Sequence, residues 1–465
     1  MNTSVDVGPF DVDTLKAKDK EHFLHPWQKF DSFRETGPLI IARGDGAYIY
    51  DIDGKAYLDG IGGMWCVNVG YGRKEIADAM AAQAAQLPYF STFYDTSNPQ
   101  AAELAWKLAQ LSPGSLNHVI FSSSGSAAND SAIRLAHYYQ ARRGKKHKKH
   151  IIVREGAYHG STYLSASLGG RWGAKDSPFH YVEDIIHHLS EPNTYRRPAD
   201  ETEDAFCDRL IAEFDAKIDS LGAENVAAFI AEPIQGSGGV IVPPRGYLQR
   251  IRARCKDLDI LYIIDEVVTA FGRLGHMFAS VDEFGVQPDM IVTAKGITSG
   301  YIPLGATLFT DEIFDVINAP DADACFEHGF TYSGHPVACA AALKNIAIIE
   351  NEQICAHVQD VGAYLEEQLK TLLDLPLVGD VRGRRFMMCV EYVADKQTKE
   401  LLPDEVRIGA AIANECGRRG LMVRPMDHLN VISPPLILTR DDIDKMVGVL
   451  RDSVLSVAHK HEISA

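Results

Sequence analysis

The sequence predicts an α/β protein whose mostly parallel sheet is covered by helices on both faces. Two observations carry this prediction. Within residues 73–335, helical patterns alternate with short apolar stretches of strand length. In residues 336–465 the pattern changes to a long Ala-rich helix, a strand pair and a final helix. We therefore expect a large domain at 73–335 and a smaller α+β domain that combines residues 1–72 with residues 336–465.

The elements of the large domain follow from the spacing of its apolar residues. Runs with a period near 3.6 predict helices, and short apolar runs bounded by polar or Gly-rich turns predict buried strands. Alternation of the two is typical of parallel strands, because a parallel pair needs a crossover connection. The helices are expected at 101–111, 126–141, 204–221 and 246–257, and the strands at 118–121, 150–153, 226–231, 260–264, 290–294 and 304–309.

The smaller domain is predicted from both ends of the chain. Residues 1 to about 40 are polar and indicate an irregular arm. Residues 47–59 alternate apolar and polar on either side of the Asp-Gly pair at 53, which predicts a β-hairpin. A strand pair around 377–392 and a helix from about 440 would pack with that hairpin.

The composition restricts the partners and the location of the protein. Lys and Arg number 46 against 63 Asp and Glu, and the net charge of −17 disfavours nucleic acid and anionic membranes as partners. No segment reaches the roughly 20 apolar residues that span a bilayer, and a signal-peptide pattern is absent. The 8 cysteines show no Cys-x-x-Cys pair and the histidines no partner at metal-like spacing. We therefore expect a cytoplasmic protein with reduced thiols and no metal site.

Lys295 and Asp265 are the residues that indicate a chemistry. Lys295 follows the apolar run at 290–294 and would stand at the end of a buried strand, while Asp265 ends a second apolar run. An amine and a carboxylate at one sheet edge suit pyridoxal 5′-phosphate: the amine binds its aldehyde, and the acid keeps its pyridine nitrogen protonated. Taken singly, each residue is better explained as a surface lysine or a capping aspartate, and their joint occurrence with the further motifs reverses that preference.

A hydroxyl-rich turn between a strand and a helix is the expected phosphate site. At Ser124, Gly125 and Ser126, backbone N–H groups and the positive end of the following helix would attract an anion. The same turn can also be a simple N-cap. Tyr158 follows the next strand and would stack on the pyridine ring, although a partly buried loop tyrosine is an equal alternative.

Six segments form a combination that is more specific than any of its parts. They are 124–129, 158–160, 231–236, 264–273, 289–296 and 331–336. In this order they resemble the segments of class III pyridoxal-phosphate aminotransferases, and the likeness runs from about residue 27 to residue 435. It implies a fold-type-I PLP-dependent transferase with a mainly parallel seven-stranded sheet. It also implies a homodimer or a dimer of dimers, with active sites at the subunit interface.

The resemblance assigns roles to individual residues. Lys295 resembles the lysine that binds the cofactor and shuttles the proton, and Asp265 the partner of the pyridinium nitrogen. Val267 would press on the ring face opposite Tyr158, and Thr331 would reach the phosphate from the other subunit. The implied cofactor-binding residues are Ser124, Gly125, Ser126, Tyr158, His159, Glu232 (as a support of the Asp265 region), Asp265, Val267, Lys295 and Thr331, of which Lys295, Asp265 and Tyr158 are also catalytic.

Two departures from the family pattern indicate which branch of the family the chain resembles. Members that use glutamate carry an Arg at the position of Ser161 and a Glu at that of Ser237, and this chain has neither. Their loss argues against glutamate or 2-oxoglutarate as co-substrate, and segments 59–72 and 420–425 resemble the ω-amine:pyruvate branch instead. The implied substrate-binding residues are Trp65 as a wall of the donor pocket, Phe93, Tyr158 and Arg424, with Trp27 as a further candidate; Trp65, Phe93 and Trp27 can equally be core residues.

Arg424 lies in an apolar stretch, where an unpaired charge is costly unless an anion or water meets it. One pocket must accept both an uncharged amine tail and the carboxylate of pyruvate. A movable guanidinium that clamps the acid and swings out for the amine is the simplest device. The alternative is an Arg that is held by a carboxylate of its own subunit.

These observations predict an aminotransferase that moves an amino group from a primary amine or ω-amino acid to pyruvate, by ping-pong kinetics. The products are an aldehyde or ketone and alanine. An aminomutase or decarboxylase with the same cofactor remains an alternative, and a non-catalytic PLP-binding module is disfavoured because Lys295 and Asp265 are both present. A hydrolase or dehydrogenase is disfavoured because its Gly-rich fingerprint is absent. The sequence leaves the donor open among β-alanine, taurine, diamines such as putrescine, and aryl amines.

Overall fold

A computed structural model describes residues 11–170, 177–320 and 324–460. In these three ranges the chain forms three β-sheets. The strands are β1 (Ile41–Asp45), β2 (Tyr48–Asp51), β3 (Ala56–Asp59), β4 (His118–Ser122), β5 (His150–Arg154), β6 (Ile186–Leu189), β7 (Val226–Ala231), β8 (Leu261–Asp265), β9 (Met290–Thr293), β10 (Gly305–Phe309), β11 (Val378–Arg384), β12 (Met387–Tyr392), β13 (Leu421–Met422), β14 (Arg424–Met426) and β15 (Leu429–Ile432).

Helices precede, separate and follow these strands. None of those in the described ranges is long and apolar enough to cross a membrane. The helices are α1 (Val12–His22), α2 (Phe30–Thr36), α3 (Gly62–Trp65), α4 (Lys74–Gln86), α5 (Pro99–Leu111), α6 (Gly125–Arg142), α7 (Tyr163–Leu168), α8 (Glu203–Leu221), α9 (Tyr247–Asp257), α10 (Ala279–Asp282), α11 (Asp311–Ile317), α12 (Pro336–Asn351), α13 (Ile354–Lys370), α14 (Ile408–Arg418) and α15 (Arg440–Lys460).

The central sheet has seven strands in the order β4-β10-β9-β8-β7-β5-β6. Strands β9, β8, β7, β5 and β6 run parallel, and β10 is antiparallel to both of its neighbours. The predicted α/β class and the mainly parallel seven-stranded sheet are therefore confirmed. The apolar pattern located all of these strands except β6. That strand lies at the sheet edge and contains two polar histidines, so it lacked the continuous apolar run of a central strand.

The central sheet is covered on both faces, which explains why its strands appear in the sequence as unbroken apolar runs. In β5, Ile151 and Val153 pack with alanines of α6 in one cluster. Ile152, which points to the other face, packs in a second cluster with residues of α8 and α9. Because both faces are buried, residues that point to either face have apolar partners. The alternation of apolar and polar residues that marks a half-exposed strand is therefore absent.

The N-terminal hairpin and the C-terminal part of the chain share a small sheet. Strands β2 and β3 pair antiparallel around the Asp-Gly turn, as the alternating pattern predicted. Strand β13 then adds in parallel to β3, with Leu421 opposite Leu58. A further four-stranded sheet has the order β11-β12-β15-β14. Domain limits at 72/73 and 335/336 remain our prediction.

The prediction of an irregular N-terminal arm is wrong for the described part of that arm. Helices α1 and α2 occupy much of residues 12–36, and neither buries a side chain. Without a buried face the two helices have no apolar periodicity to reveal them. The start of α1 instead depends on a local cap, because the Asp11 carboxylate accepts a hydrogen bond from the Thr14 N–H at 2.9 Å. Residues 1–10 of the predicted arm lie outside the described ranges.

Candidate active site

A cavity of about 360 Å³ opens at the carboxyl ends of β8 and β9, against the start of α6. Its volume lies in the range of small-molecule sites, and this edge of an open α/β sheet is where such ligands bind. Most of the predicted site residues line it. These are Trp65, Ser124, Gly125, Ser126, Tyr158, His159, Glu232, Asp265, Val267 and Lys295.

Lys295 reaches the cavity from a strained turn. Strand β9 is wholly buried, and Lys295 follows it with a backbone φ of 45°, in the left-handed region. A residue with a side chain pays on the order of 1–3 kcal/mol for such a conformation, so surrounding contacts must hold it. Burial lowers the pKa of the Lys295 amine, and the nearby Asp265 carboxylate partly opposes that shift. The amine is thus neutral at lower pH than an exposed lysine.

Asp265 ends β8 as a buried carboxylate with three hydrogen bonds. Its Oδ2 accepts from Asn129 Nδ2 and from His159 Nδ1, both at 2.8 Å, and its Oδ1 accepts from the Val267 N–H at 3.0 Å. The imidazole must donate here because the carboxylate offers only acceptors. These bonds stabilise a negative charge that burial would otherwise make costly.

Asn129 is a site residue that the sequence-based assignment missed. Besides Asp265, its Nδ2 donates to the His159 carbonyl at 2.7 Å, so it joins the ends of β5 and β8. The sequence signal for this role was a single amide side chain among the alanines at 127, 128 and 132, on the buried face of α6. A buried polar side chain on an otherwise apolar face must find a partner.

The turn that begins α6 suits an anion. Ser124 is the N-cap, because its Oγ accepts from the Ala127 N–H at 3.1 Å, so the capping alternative is correct for that side chain. Within the described ranges the N–H groups of Gly125 and Ser126 have no hydrogen-bond partner, which leaves them for a ligand. A side chain at position 125 would also crowd Val267, because a Cβ there would stand 3.0 Å from a methyl group of Val267.

Glu232 binds the backbone N–H of Tyr158 and makes no direct hydrogen bond to Asp265. Its Oε1 accepts from the Tyr158 N–H at 3.0 Å and its Oε2 from the Gly236 N–H at 2.8 Å. Burial raises the pKa of this carboxyl group. The Tyr158 hydroxyl lies 3.0 Å from Ser161 Oγ. The carboxylate thus fixes the loop that presents the Tyr158 ring to the cavity.

Arg424 is half-buried on β14, opposite Val431. Burial lowers the pKa of its guanidinium, and an electrostatic interaction with Tyr158 partly opposes that shift. Arg424 is not among the described residues that line the cavity. Across the described ranges the guanidinium makes no hydrogen bond or ion pair. The alternative of an Arg held by a carboxylate of its own subunit is therefore not what this structure shows.

Three predicted aromatic residues and Thr331 lie in different surroundings. Trp65 is 2% exposed, and it both packs in a core cluster and lines the cavity. Phe93 is 42% and Trp27 66% exposed, so neither is a core residue, and neither lines the cavity. Thr331 is also exposed outside that cavity, where its carbonyl accepts from the Tyr89 hydroxyl at 2.8 Å.

The polar groups of the cavity fit pyridoxal 5′-phosphate. An amine with a lowered pKa, a buried and hydrogen-bonded carboxylate, two free backbone N–H groups and an aromatic ring are the groups that this cofactor requires. Two buried side-chain atoms of residues that line the cavity, Asn129 Oδ1 and His159 Nε2, have no hydrogen-bond partner in the described structure. The fold and the site therefore define an enzyme of the PLP-dependent transferase type.

Comparison with known proteins gives the family. The model of the family described as aminotransferase class-III matches residues 32–454, and the chain belongs to that family, whose members use pyridoxal phosphate. A putrescine–pyruvate aminotransferase of Pseudomonas aeruginosa is 41% identical over 437 residues, which cover 94% of each chain. A gamma-aminobutyrate transaminase of Oryza sativa, described as mitochondrial, is 39% identical and is matched over 83% of its length.

Solved structures agree with the fold. An (S)-enantioselective omega-transaminase from Thermomicrobium roseum superimposes with a TM-score of 0.93 at 41% identity, covering 97% of this chain and 100% of its own. The omega transaminase of Pseudomonas jessenii, solved in complex with PMP, has a TM-score of 0.94 at 37% identity and the same coverage. The predicted family, fold, enzyme class and cofactor are thus confirmed.

Proposed function

We propose that this enzyme transfers an amino group from a primary amine or ω-amino acid to pyruvate. The observation that carries the proposal is the half-buried Arg424 guanidinium, which makes no hydrogen bond or ion pair in the described structure and interacts electrostatically with Tyr158 and Lys295, two residues that line the cavity. Its charge suits the carboxylate of a small keto acid. The neutral Ser161 and Ser237, and the similarity to a putrescine–pyruvate aminotransferase, support pyruvate over a dicarboxylic acceptor.

The residues of the cavity divide the binding of the cofactor between them. Pyridoxal 5′-phosphate, when bound, takes up the amino group of the donor and passes it to the acceptor. Lys295 would bind its aldehyde, and Asp265 would keep its pyridine nitrogen protonated. The free N–H groups at the start of α6 would hold its phosphate, and Val267 and Tyr158 would lie on opposite ring faces.

Lys295 then serves as the proton shuttle. With the donor bound, the free Lys295 side chain would remove the proton from the donor carbon that bears the amine. Its lowered pKa favours the neutral amine that this step requires. In the second half-reaction the keto acid enters and Lys295 returns a proton to its carbon. One pocket serves both halves in turn, so ping-pong kinetics are expected.

We propose a homodimer, with each site completed by its partner. Support comes from an exposed aromatic surface next to Thr331: Tyr94 is 99%, Tyr332 57% and Phe93 42% exposed. Large aromatic side chains exposed together are typical of an interface. In such a dimer Thr331 would reach the phosphate and Phe93 the donor pocket of the other subunit.

The Thr331 role predicts complementation between subunits. Lys295→Ala subunits mixed with Thr331→Ala subunits should form dimers in which one site carries both lesions and the other carries neither. Turnover of the mixture, measured after dissociation and reassociation, should therefore exceed that of the Thr331→Ala parent. If Thr331 acts within its own subunit, every mixed site keeps one lesion and mixing restores nothing.

The cytoplasm remains our proposed location. All eight cysteines are free thiols, as expected in a reducing compartment. Because one family of relatives is mitochondrial, cell fractionation of the source organism tests this proposal directly.

The proposed reaction is tested by following the visible absorbance of the bound cofactor. Addition of a primary amine should bleach that absorbance, and pyruvate should restore it with formation of alanine. A panel of β-alanine, taurine, putrescine and an aryl amine then ranks the donors. Release of carbon dioxide or migration of the amino group within one substrate, without alanine, would identify a decarboxylase or an aminomutase instead.

A further inference from the structure

The turn after Lys295 contains two strained residues. Lys295 has a φ of 45° and Ser299 a φ of 49°, both in the left-handed region. Neither is a glycine, so the local sequence does not favour this backbone. Residues Lys295–Ile297 form a single 3₁₀ turn, and its own backbone bonds, such as that from the Thr298 N–H to the Lys295 carbonyl at 3.2 Å, do not favour a positive φ. Other parts of the chain must therefore fix it.

Asn345 holds the turn by hydrogen bonds. This residue of α12 is wholly buried, and its Nδ2 donates to the carbonyls of Gly296 at 2.8 Å and Ile297 at 3.0 Å. Its Oδ1 accepts from the Ser299 hydroxyl at 2.6 Å. One side chain thus binds three successive parts of the turn, and both ends of its amide are used.

Asn68 packs against the same turn at Gly296. An added Cβ at Gly296 would stand only 2.4 Å from Asn68 Nδ2, so the two groups are in direct contact. Asn68 is itself fixed, because its Nδ2 donates to the Phe271 carbonyl at 2.8 Å and its Oδ1 accepts from Arg273 Nη2 at 3.0 Å. The turn is therefore contacted by two buried amides.

We infer that Asn345 is a positioning residue of the reaction: it keeps the Lys295 backbone left-handed and so keeps the amine in the cavity beside Asp265. The inference deepens the proposed function and rests on it. Without the two bonds donated by Asn345, Lys295 can relax to an ordinary negative φ. Its amine would then leave the position from which it binds the cofactor and moves the proton.

Asn430 provides a matched control. It is equally buried, its Nδ2 donates to the carbonyls of Gly409 at 2.9 Å and Leu429 at 3.1 Å, and its Oδ1 accepts from the Tyr392 hydroxyl at 2.9 Å. It repeats the bonds of Asn345 in the C-terminal sheet, which contains Arg424 but none of Lys295, Asp265 and Tyr158. The value of kcat is therefore compared for a carboxylate-free amine at saturating pyruvate. A difference in kcat between the two variants would therefore result from the change in the turn and not from the loss of a buried amide side chain.

The experiment compares Asn345→Leu with Asn430→Leu. Both should lower the thermal unfolding midpoint of the cofactor-free enzyme by similar amounts, because each loses three buried hydrogen bonds. Only Asn345→Leu should lower kcat, by about 10- to 100-fold, since a misplacement near 1 Å can cost about 100-fold. Its KM for the amine should change little. It should also shift the pH midpoint of the cofactor's visible absorbance, and a crystal structure should show Lys295 at negative φ.

Ser299→Ala is the milder variant if Asn345→Leu does not fold. It removes the hydroxyl that donates to Asn345 Oδ1 and also accepts from the Val69 N–H at 3.3 Å, and it should shift the absorbance midpoint in the same direction. The inference is overturned if the Asn345 variant, or in its place the Ser299 variant, keeps the normal midpoint and kcat. Equal changes in the Asn430 variant would overturn it too. Failure of the unsubstituted enzyme to form alanine would instead refute the proposed function, and the midpoint would still test the turn.

Discussion

Replacement of Lys295 by Ala is expected to lower turnover by on the order of 10³-fold or more while the fold is kept. Among the described residues that line the cavity, Lys295 is the one lysine, so no other amine can take over. General acid–base catalysis alone is worth roughly 10²- to 10⁴-fold, and binding of the cofactor's aldehyde is lost in addition. Alanine formation from amine and pyruvate measures the effect.

The same variant should lose the pH-dependent visible absorbance of the bound cofactor without losing stability. Alanine keeps the β-carbon, so the left-handed strain is unchanged, and the removal of a partly buried amine costs little. Lys344→Ala on the exposed side of α12 is the control and should behave as the parent enzyme. Normal alanine formation by Lys295→Ala would refute the assigned role.

Replacement of Arg424 by Ala is expected to affect one half-reaction selectively. Loss of a bidentate charged contact in a partly desolvated site is worth on the order of 2–4 kcal/mol, which corresponds to a roughly 30- to 1000-fold decrease in kcat/KM for pyruvate. A donor without a carboxylate makes no such contact. Its half-reaction, followed by single-turnover bleaching of the cofactor, should change far less.

Arg424→Lys separates charge from geometry. The ammonium keeps the positive charge but lacks the planar pair of donors, so this variant should fall between the parent and Arg424→Ala for pyruvate. A donor with a carboxylate, such as β-alanine, should be impaired along with pyruvate. Equal losses for pyruvate and for a carboxylate-free amine would show that Arg424 supports the fold of β14 and not the substrate.

The extent to which the fold was predictable depended on burial. Central strands such as β7 and β8 are buried on both faces and therefore appear as unbroken apolar runs. The edge strand β6 and the exposed helices α1 and α2 bury little or nothing, so they carried no such signal. Strand β6 depends on pairing with β5, and the start of α1 depends on the Asp11 cap; apolar periodicity reports neither.

The sequence predicted those site residues that stand directly at the end of a buried strand. Lys295 and Asp265 each end an apolar run, and parallel strands bring such ends to the same edge. The roles of Asn129 and Glu232 were not accessible in this way, because each depends on contacts between distant elements. Asn129 meets Asp265 across 136 positions of sequence, and Glu232 meets Tyr158 across 74.

The antiparallel direction of β10 matters for redesign of the enzyme. Because β10 runs back alongside β9, the chain needs no crossover helix after Lys295, and residues 298–304 stay at the open edge of the sheet. Five of them line the cavity: Thr298, Gly300, Ile302, Pro303 and Leu304. One wall is thus encoded by a single short stretch, in which Ile302 and Pro303 are the positions for a small combinatorial library. Thr298 and Leu304 are buried, and Gly300 has a φ of 77° that side chains rarely adopt. Such a library should stop before Gly305, where a Cβ would collide with the Ser124 carbonyl at 2.3 Å.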